Sequence, residues 1–209
     1  MQIAYFWLSR VPMTSCIEMT GTSSHTCCDF AAHFRQLVAD SLETEDCIIG
    51  GPGIVVEIDE SKIAKRKYNR GHHIEGAWVF GGIERTEEKK VFITHVADRS
   101  AKTLLEAIQK FVRPGSIIYS DMWRGYNGIT ERLGFEHLTV NHSIGFVDSV
   151  TGVHTNTIEA TWCGLKLLIP KRNRTVDIDN HLWEYIWRKL HAKTLWRSFL
   201  FALKDVAYD

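Results

Sequence analysis

The sequence has 209 residues, 44% hydrophobic and 24% charged, with 25 basic and 25 acidic side chains and a formal net charge of zero. These are ordinary proportions for a globular protein, and the even balance removes any global argument for nucleic-acid binding, so a basic surface has to be local. No apolar run reaches the length of a membrane span, the opening MQIAYFWLSR predicts no secretory signal, and five cysteines without a C-x-x-C pair predict free thiols in a reducing compartment rather than a zinc ribbon or disulfide framework.

Residues 1–43 read as a small helical segment. The run SSHTCCDFAAHFRQLVADSL sets Phe30, Phe34, Leu37, Val38 and Leu42 at helical spacing, and Ser23 or Ser24 can cap it. A shorter apolar segment ending at Met19 and the turn TGTS come before it. Helix, glycine-containing turn, helix is the outline of a helix-turn-helix. Its second helix offers His25, His33 and Arg35 as DNA contacts, with a plain helical hairpin as the alternative. The Gly-Gly-Pro-Gly run of TEDCIIGGPG breaks structure and reads as a linker over 44–53.

From residue 54 to about 175 the pattern changes to that of a second unit. IVVEIDESKI is rich in β-formers, with Glu57 and Asp59 two apart and so on one face. WVFGGIER and KKVFITHVAD are two further strands, joined through Thr86–Glu88 as a hairpin. SAKTLLEAIQKFV is an amphipathic helix capped by Ser100, with Leu104, Leu105, Ile108, Phe111 and Val112 on its buried face. PGSIIYSDMW gives a turn and a short buried strand ending at Asp121, RGYNGITERLGF a short helix ending near Gly134, and HLTVNHS a fifth strand. A helix from about Asn156 to Leu168 follows, with the stripe Ile158, Trp162, Leu165 and Ile169. Residues 176–209 form a helical extension rich in Trp and Leu. Three antiparallel strands, then a strand reached through a crossover helix, require a mixed sheet. The expected fold class is α/β: a ribonuclease H-like mixed five-stranded sheet flanked by helices and preceded by the small helical segment.

That order places three acids together. Asp59 lies at the end of the first strand, Asp121 at the end of the fourth, and Glu159 in the opening of the helix after the fifth. In this fold the first and fourth strands are neighbours and the late helix packs beside them. Three close carboxylates repel one another, and hard divalent cations with oxygen ligands relieve that cost. Mg²⁺ or Mn²⁺ is the natural choice, as two ions that activate a nucleophile and stabilise a leaving oxygen in phosphodiester displacement. Each acid also has a structural reading. Asp59 can be a turn residue, Asp121 a helix cap, and Glu159 the partner of Asn156 in a capping box.

The run VEIDESKIAKRKYNRGHHIEGAWVFGGIER resembles the first-aspartate region of Merlin-type DNA transposases and their bacterial insertion-sequence relatives, the ISXO-like transposases. IIYSDMWRGY, VNHSIGFVDSVTGVHTNTIEATW and the GGPG lead-in match as well, over roughly residues 50 to 172. Fuller members of that family carry a zinc-binding segment upstream, for which this chain has no cysteine pattern. The resemblance implies a DDE catalytic core in which Asp59, Asp121 and Glu159 are the catalytic and metal-holding triad. The implied activity is Mg²⁺-dependent cleavage and joining of DNA at transposon ends, by attack of water and then of a 3′-hydroxyl. The alternative, from another class, is a domesticated DNA-binding protein that keeps the fold without transposing. The partners implied are double-stranded DNA, as transposon ends and target, and further copies of the chain in a homodimer or synaptic assembly, with no membrane. The location implied is the nucleus in a eukaryote or the cytoplasm in a bacterium, not the exterior.

Basic residues supply local surface for that DNA. Lys62, Lys65, Arg66, Lys67 and Arg70 surround Tyr68, a pattern suited to phosphate contact and base stacking. Lys166 and the run Lys171–Arg174, with Lys171 and Arg172 foremost, are further candidates, and a solvated surface is the alternative. His142, His154 and Asn156 are possible auxiliary residues that orient water or a DNA phosphate. Trp123 and Tyr126 are better explained by core packing than by base stacking.

Overall fold

In the computed structural model, which describes residues 1–63, 76–170, 174 and 178–207, the chain opens with three helices, α1 (Gln2–Leu8), α2 (Met13–Thr20) and α3 (Ser24–Asp40). Helix α2 stops at Gly21, whose φ of 66° suits glycine better than any L side chain. Helix α3 starts where Ser23 Oγ accepts the Thr26 N–H at 3.0 Å. All five cysteines are free thiols. Among the described residues, no helix is long and apolar enough to cross a membrane.

Next come β1 (Ile49–Gly50), β2 (Val55–Ile63), β3 (Ala77–Glu84), β4 (Val91–Val96), α4 (Ala101–Phe111), β5 (Val112–Arg113), β6 (Ile117–Asp121) and β7 (Glu136–Val140). Strands β2, β3, β4, β6 and β7 form a mixed five-stranded sheet in the order β4-β3-β2-β6-β7. The β2/β3 and β3/β4 pairs are antiparallel, and β2/β6 and β6/β7 are parallel. Helices α5 (Asn156–Leu168), α6 (Asp179–Leu190) and α7 (Leu195–Asp205) complete the chain. This is the α/β, ribonuclease H-like arrangement that the sequence predicts. Helix α4 and the turns over 124–133 cover one face of the sheet, where Phe80 meets Phe92 and Tyr126. Helices α5 and α6 cover the other.

Three details differ from expectation. Asp59 is the middle residue of a nine-residue strand rather than its end, because β2 stays paired with β3 as far as Ile63. The C-terminal tail is two helices, broken at residues 191–194, which turns Phe199 back onto Trp7 and Phe34. The Gly-Gly-Pro-Gly run is held on both sides: Gly50 N–H donates to Glu84 Oε1 at 2.6 Å and Gly51 N–H to Ser116 Oγ at 2.9 Å. A Cβ on Gly50 would lie 2.2 Å from Ser116 Oγ, so only glycine fits.

The two ends of the chain pack on each other. Ala4, Leu8, Leu37, Val38, Trp187, Phe199 and Ala202 form a cluster joining α1, α3, α6 and α7. A buried ion pair braces it. Arg188 Nε donates to Glu184 Oε1 at 2.7 Å, its other nitrogens reach Leu8 O at 2.9 Å and Trp7 O at 3.0 Å, and its guanidinium lies over the Trp7 ring. One side chain thus satisfies the last carbonyls of α1 and neutralises a buried carboxylate. Arg188→Met should leave Glu184 charged and unpaired in the interior, at a cost of about 3–5 kcal/mol. The loss is read from the urea midpoint, and Glu184→Leu/Arg188→Met should recover part of it.

Candidate active site

Glu57 is completely buried, and a bare carboxylate there would be very costly. It is held by the start of α5. Glu57 Oε2 accepts the N–H groups of Thr157 at 2.8 Å and Ile158 at 3.1 Å, and Oε1 accepts the Thr157 hydroxyl at 2.8 Å. Arg85 Nε–H adds a 2.6 Å ion pair to Oε1, and a second Arg85 nitrogen donates to His154 O at 3.0 Å. The positive end of a helix is where an anion is most welcome. Two residues along β2, Asp59 Oδ2 accepts the Trp162 indole N–H at 2.8 Å, and two further on, Ser61 Oγ accepts from Lys166 Nζ at 2.9 Å. Alternate residues of a strand share one face and residues about four apart share one helix face. The three contacts therefore fasten α5 along β2. Room for Trp162 comes from Gly81, opposite Asp59, where a Cβ would lie 2.9 Å from the indole and 2.7 Å from Phe92 O.

The same strand brings the acids together. The parallel register pairs Val55 with Ile117, Val56 with Ile118 and Glu57 with Tyr119. The pairing ends there, and two residues on, at the same offset, stand Asp59 and Asp121. Burial pushes the Asp59 carboxyl up to about 7; the charges of Glu60 and Asp121 add to the rise, and the Trp162 hydrogen bond opposes it. Asp121 Oδ1 accepts the Trp123 N–H at 2.9 Å, which fixes its side chain over the turn that follows. On the reverse face Glu60 takes the Tyr126 hydroxyl hydrogen bond and a 3.1 Å contact from Arg99, whose guanidinium lies between the Trp78 and Trp123 rings at 4.2 and 4.7 Å. Burial and the charges of Glu60, Asp59 and Asp121 keep the Tyr126 hydroxyl protonated.

Residues 38–188 match the ISXO2-like transposase domain. The chain belongs to this family. It is also 32% identical over 101 residues to a protein of Haemophilus influenzae described as an uncharacterized transposase-like protein, an alignment spanning 47% of this chain and 80% of that relative.

Within this transposase domain, Glu159 sits in the first turn of α5, one turn before Trp162. It is half-exposed, 3.8 Å from His142 Nε2. Among the described residues, no three His, Cys, Asp or Glu side chains converge closely enough to hold a metal ion together. Asp59 and Asp121 each lie two residues beyond the last β2/β6 pair, Glu57 and Tyr119. The capping box expected of Asn156 and Glu159 is absent: Thr155 is the cap position, it makes no side-chain cap bond, and Asn156 is already the first helical residue. The carboxylate that serves the helix start comes instead from Glu57, on another element. His154 belongs to the same network, with Nδ1 3.5 Å from Glu57 Oε1, and His142 Nε2 lies 3.1 Å from Thr155 Oγ1. Of the basic candidates, Lys62 lies 5.6 Å from the Trp78 ring and Lys166 is bonded to Ser61. Arg174 turns inward, donating to Ile169 O at 3.0 Å and also to Lys166 O. Lys65, Arg66, Lys67, Tyr68, Arg70, Lys171 and Arg172 lie outside the described residues. The roles of Glu57, Arg85 and Glu60 are not evident from sequence. The one available signal was that Glu57 shares a strand face with Asp59.

Two outcomes follow from these contacts. Glu57→Ala should cost about 3 kcal/mol or more, since it strands Arg85 and two helix N–H groups. Asn156→Ala should stay within about 0.5 kcal/mol of wild type in the same urea titrations. For Asp59, the folded state holds its proton up to about pH 7 while the unfolded chain releases it in the ordinary carboxylate range. The stability tied to that proton is therefore complete at low pH and lost as pH rises through about 7. In metal-free buffer, Asp59→Asn should gain stability relative to wild type between pH 4 and pH 8, and a flat difference would contradict the raised value.

Proposed function

We propose that the protein is a metal-dependent DNA transposase that cleaves and joins phosphodiester bonds at transposon ends. The observation that carries this reading is the neighbouring position of Asp59 and Asp121, each two residues past the last pair of the parallel β2/β6 ladder, where the charge of Asp121 adds to the rise of the Asp59 carboxyl. Two neighbouring carboxylates of which one resists ionisation are a poor structural pair and a suitable donor set for a hard divalent cation. Asp59 and Asp121 would hold Mg²⁺ or Mn²⁺, two ions in the full site, and Glu159 would supply the third carboxylate. Bound there, such ions lower the pKa of an attacking water and offset charge on the leaving oxygen.

The chain's own residues do the rest. The Trp162 N–H fixes one Asp59 oxygen and the Trp123 N–H one Asp121 oxygen, and a backbone hydrogen bond from Glu60 also reaches the Asp59 carboxyl. Neither acid can rotate without giving up that bond, which preorganises the pair. Lys166, bonded to Ser61, stands on the Asp59 face of β2, whereas Lys62 beside Trp78 is on the reverse face. Charge from Lys166 there favours a DNA backbone running past the acids. The expected substrate is double-stranded DNA carrying the element's terminal sequence, engaged by two or more copies of the chain. Changing Lys65, Arg66 and Lys67 to Ala should weaken DNA binding and flatten its salt dependence.

The test is strand cleavage and transfer on terminal-sequence DNA in Mg²⁺, Mn²⁺ or EDTA, alongside thermal melting. Wild type should cleave only with metal and melt at a higher temperature in millimolar Mn²⁺. Asp59→Asn and Asp121→Asn should each lose at least about a hundredfold in rate and lose the Mn²⁺-induced shift. Glu159→Gln should fold normally and lose cleavage to a similar extent. Cleavage by Glu159→Gln at the wild-type rate would remove that residue from the site.

A further inference from the structure

The segment between β7 and α5, residues 141–153, puts four large apolar side chains into solvent within seven positions. Ile144 is 88% exposed, Phe146 69%, Val147 49% and Val150 91%. Scattered single apolar residues on a surface need no explanation, but a cluster does. The segment is well bonded within itself. Asn141 O accepts the N–H groups of Ile144 and Gly145 at 3.0 and 3.1 Å. Asp148 Oδ1 accepts those of Val150 and Thr151 at 3.0 and 2.7 Å. Asp148 N–H donates to Val153 O at 2.8 Å, and Val147 bridges His154. The apolar side chains are thus held outward by a bonded backbone while Val153 and Thr155 root it in the interior.

The root stands at the candidate site. His142 Nε2 contacts Thr155 Oγ1 at 3.1 Å and lies 3.8 Å from Glu159 Oε1, and the His142 ring is 6.0 Å from that of Phe146. Phe146 is therefore one aromatic ring away from the third carboxylate. Asp121 is followed directly by Met122, 64% exposed. Residues 143–153 contain one acid, Asp148, and no Lys or Arg, so the segment is not suited to gripping phosphate. Apolar Phe and Ile side chains are suited to the faces of unstacked bases, and such wedges enter duplexes between base steps.

We propose that residues 143–151 form a wedge that enters the DNA beside the cleaved phosphate, with Phe146 and Ile144 against unstacked bases. This rests on the transposase reading, and it names what that site does to its substrate besides cutting it: the duplex is opened locally before the strand reaches the acids.

The test uses the full chain with terminal-sequence duplexes in which 2-aminopurine is placed at successive positions, bound in Ca²⁺. Wild type should raise the fluorescence severalfold at one or two positions next to the cut. Ile144→Ser/Phe146→Ser, which changes only exposed side chains, should bind DNA with about tenfold lower affinity and give no rise at saturation. It should cleave a paired duplex slowly in Mn²⁺ and recover on a duplex with a two-nucleotide mismatch at the unstacked position. No rise at any position with wild type, or a rise kept by the variant, would overturn the wedge. So would a variant whose only change is a smaller oligomer in sedimentation, which would make the patch a contact between copies. Cleavage by wild type without unstacking would leave the transposase reading standing and remove the wedge. Unstacking without metal-dependent cleavage would keep the wedge and remove the catalytic reading.

Discussion

A single buried carboxylate organises the half of this fold built on the five-stranded sheet. Glu57 cannot lie in the interior as an anion unless donors surround it, and its hydrogen-bond donors among the described residues come from elsewhere in the chain: two N–H groups and a hydroxyl from the start of α5, and the guanidinium of Arg85. Satisfying the charge therefore fixes where α5 begins relative to β2. Once the start is fixed, the spacing of the two elements sets the rest. Two strand residues advance about 6.6 Å and four helix residues about 6 Å. Glu57, Asp59 and Ser61 can thus meet Thr157, Trp162 and Lys166 in succession. Glu159, one turn from Trp162, and the loop rooted at Thr155 take their places from the same anchor.

The candidate site sits within this scaffold and works against it. Asp59 is half-way along the fastened strand, where burial and two neighbouring acids oppose its ionisation. A strand built only for stability would carry a hydroxyl or an apolar residue there. Its surroundings limit the penalty without removing it. The indole N–H of Trp162 donates to Asp59, and on the reverse face Arg99, stacked between two indoles, offsets Glu60. Glu57 and Asp59 are two carboxylates two residues apart on one strand face, and their environments divide the roles. The first is completely buried and bonded to a helix start and a guanidinium, and the second, held by Trp162 and the Glu60 backbone, is raised by burial.

The sheet order and the placement of Asp121 and Glu159 were legible in the sequence because they rest on periodicity and order, which are local. Strand and helix patterns around Leu104–Phe111 and Ile158–Leu165 needed no tertiary information. The cap of α5 was not legible. The sequence HTNTIEATW offers Asn156 and Glu159 at capping-box spacing, and a local reading takes them. The structure supplies the carboxylate from Glu57, 100 residues earlier in the chain, and no window along the sequence contains that contact. Asp59 was expected at a strand end for a similar reason: β-propensity does not tell how far β3 continues to pair with β2. The bracing of α1 by Arg188 is likewise invisible, since the carbonyls it serves lie about 180 residues away.

Capping from a distance has a chemical consequence. A helix that caps itself uses the acid three residues past its cap, and that acid is then bonded to its own backbone. Because Glu57 serves the first N–H groups of α5, Glu159 has no such duty and stays half-exposed beside His142. At the other end Arg174 occupies the carbonyls of Lys166 and Ile169. Both ends of α5 are thus satisfied by side chains from outside it, which holds the helix still while its first turn keeps an unspent carboxylate. The division is between a buried acid that holds the helix and an exposed one that the helix presents in its first turn. His154 ties into the Glu57 network, Asn156 is a helical residue at the surface, and Glu159 stays half-exposed 3.8 Å from His142.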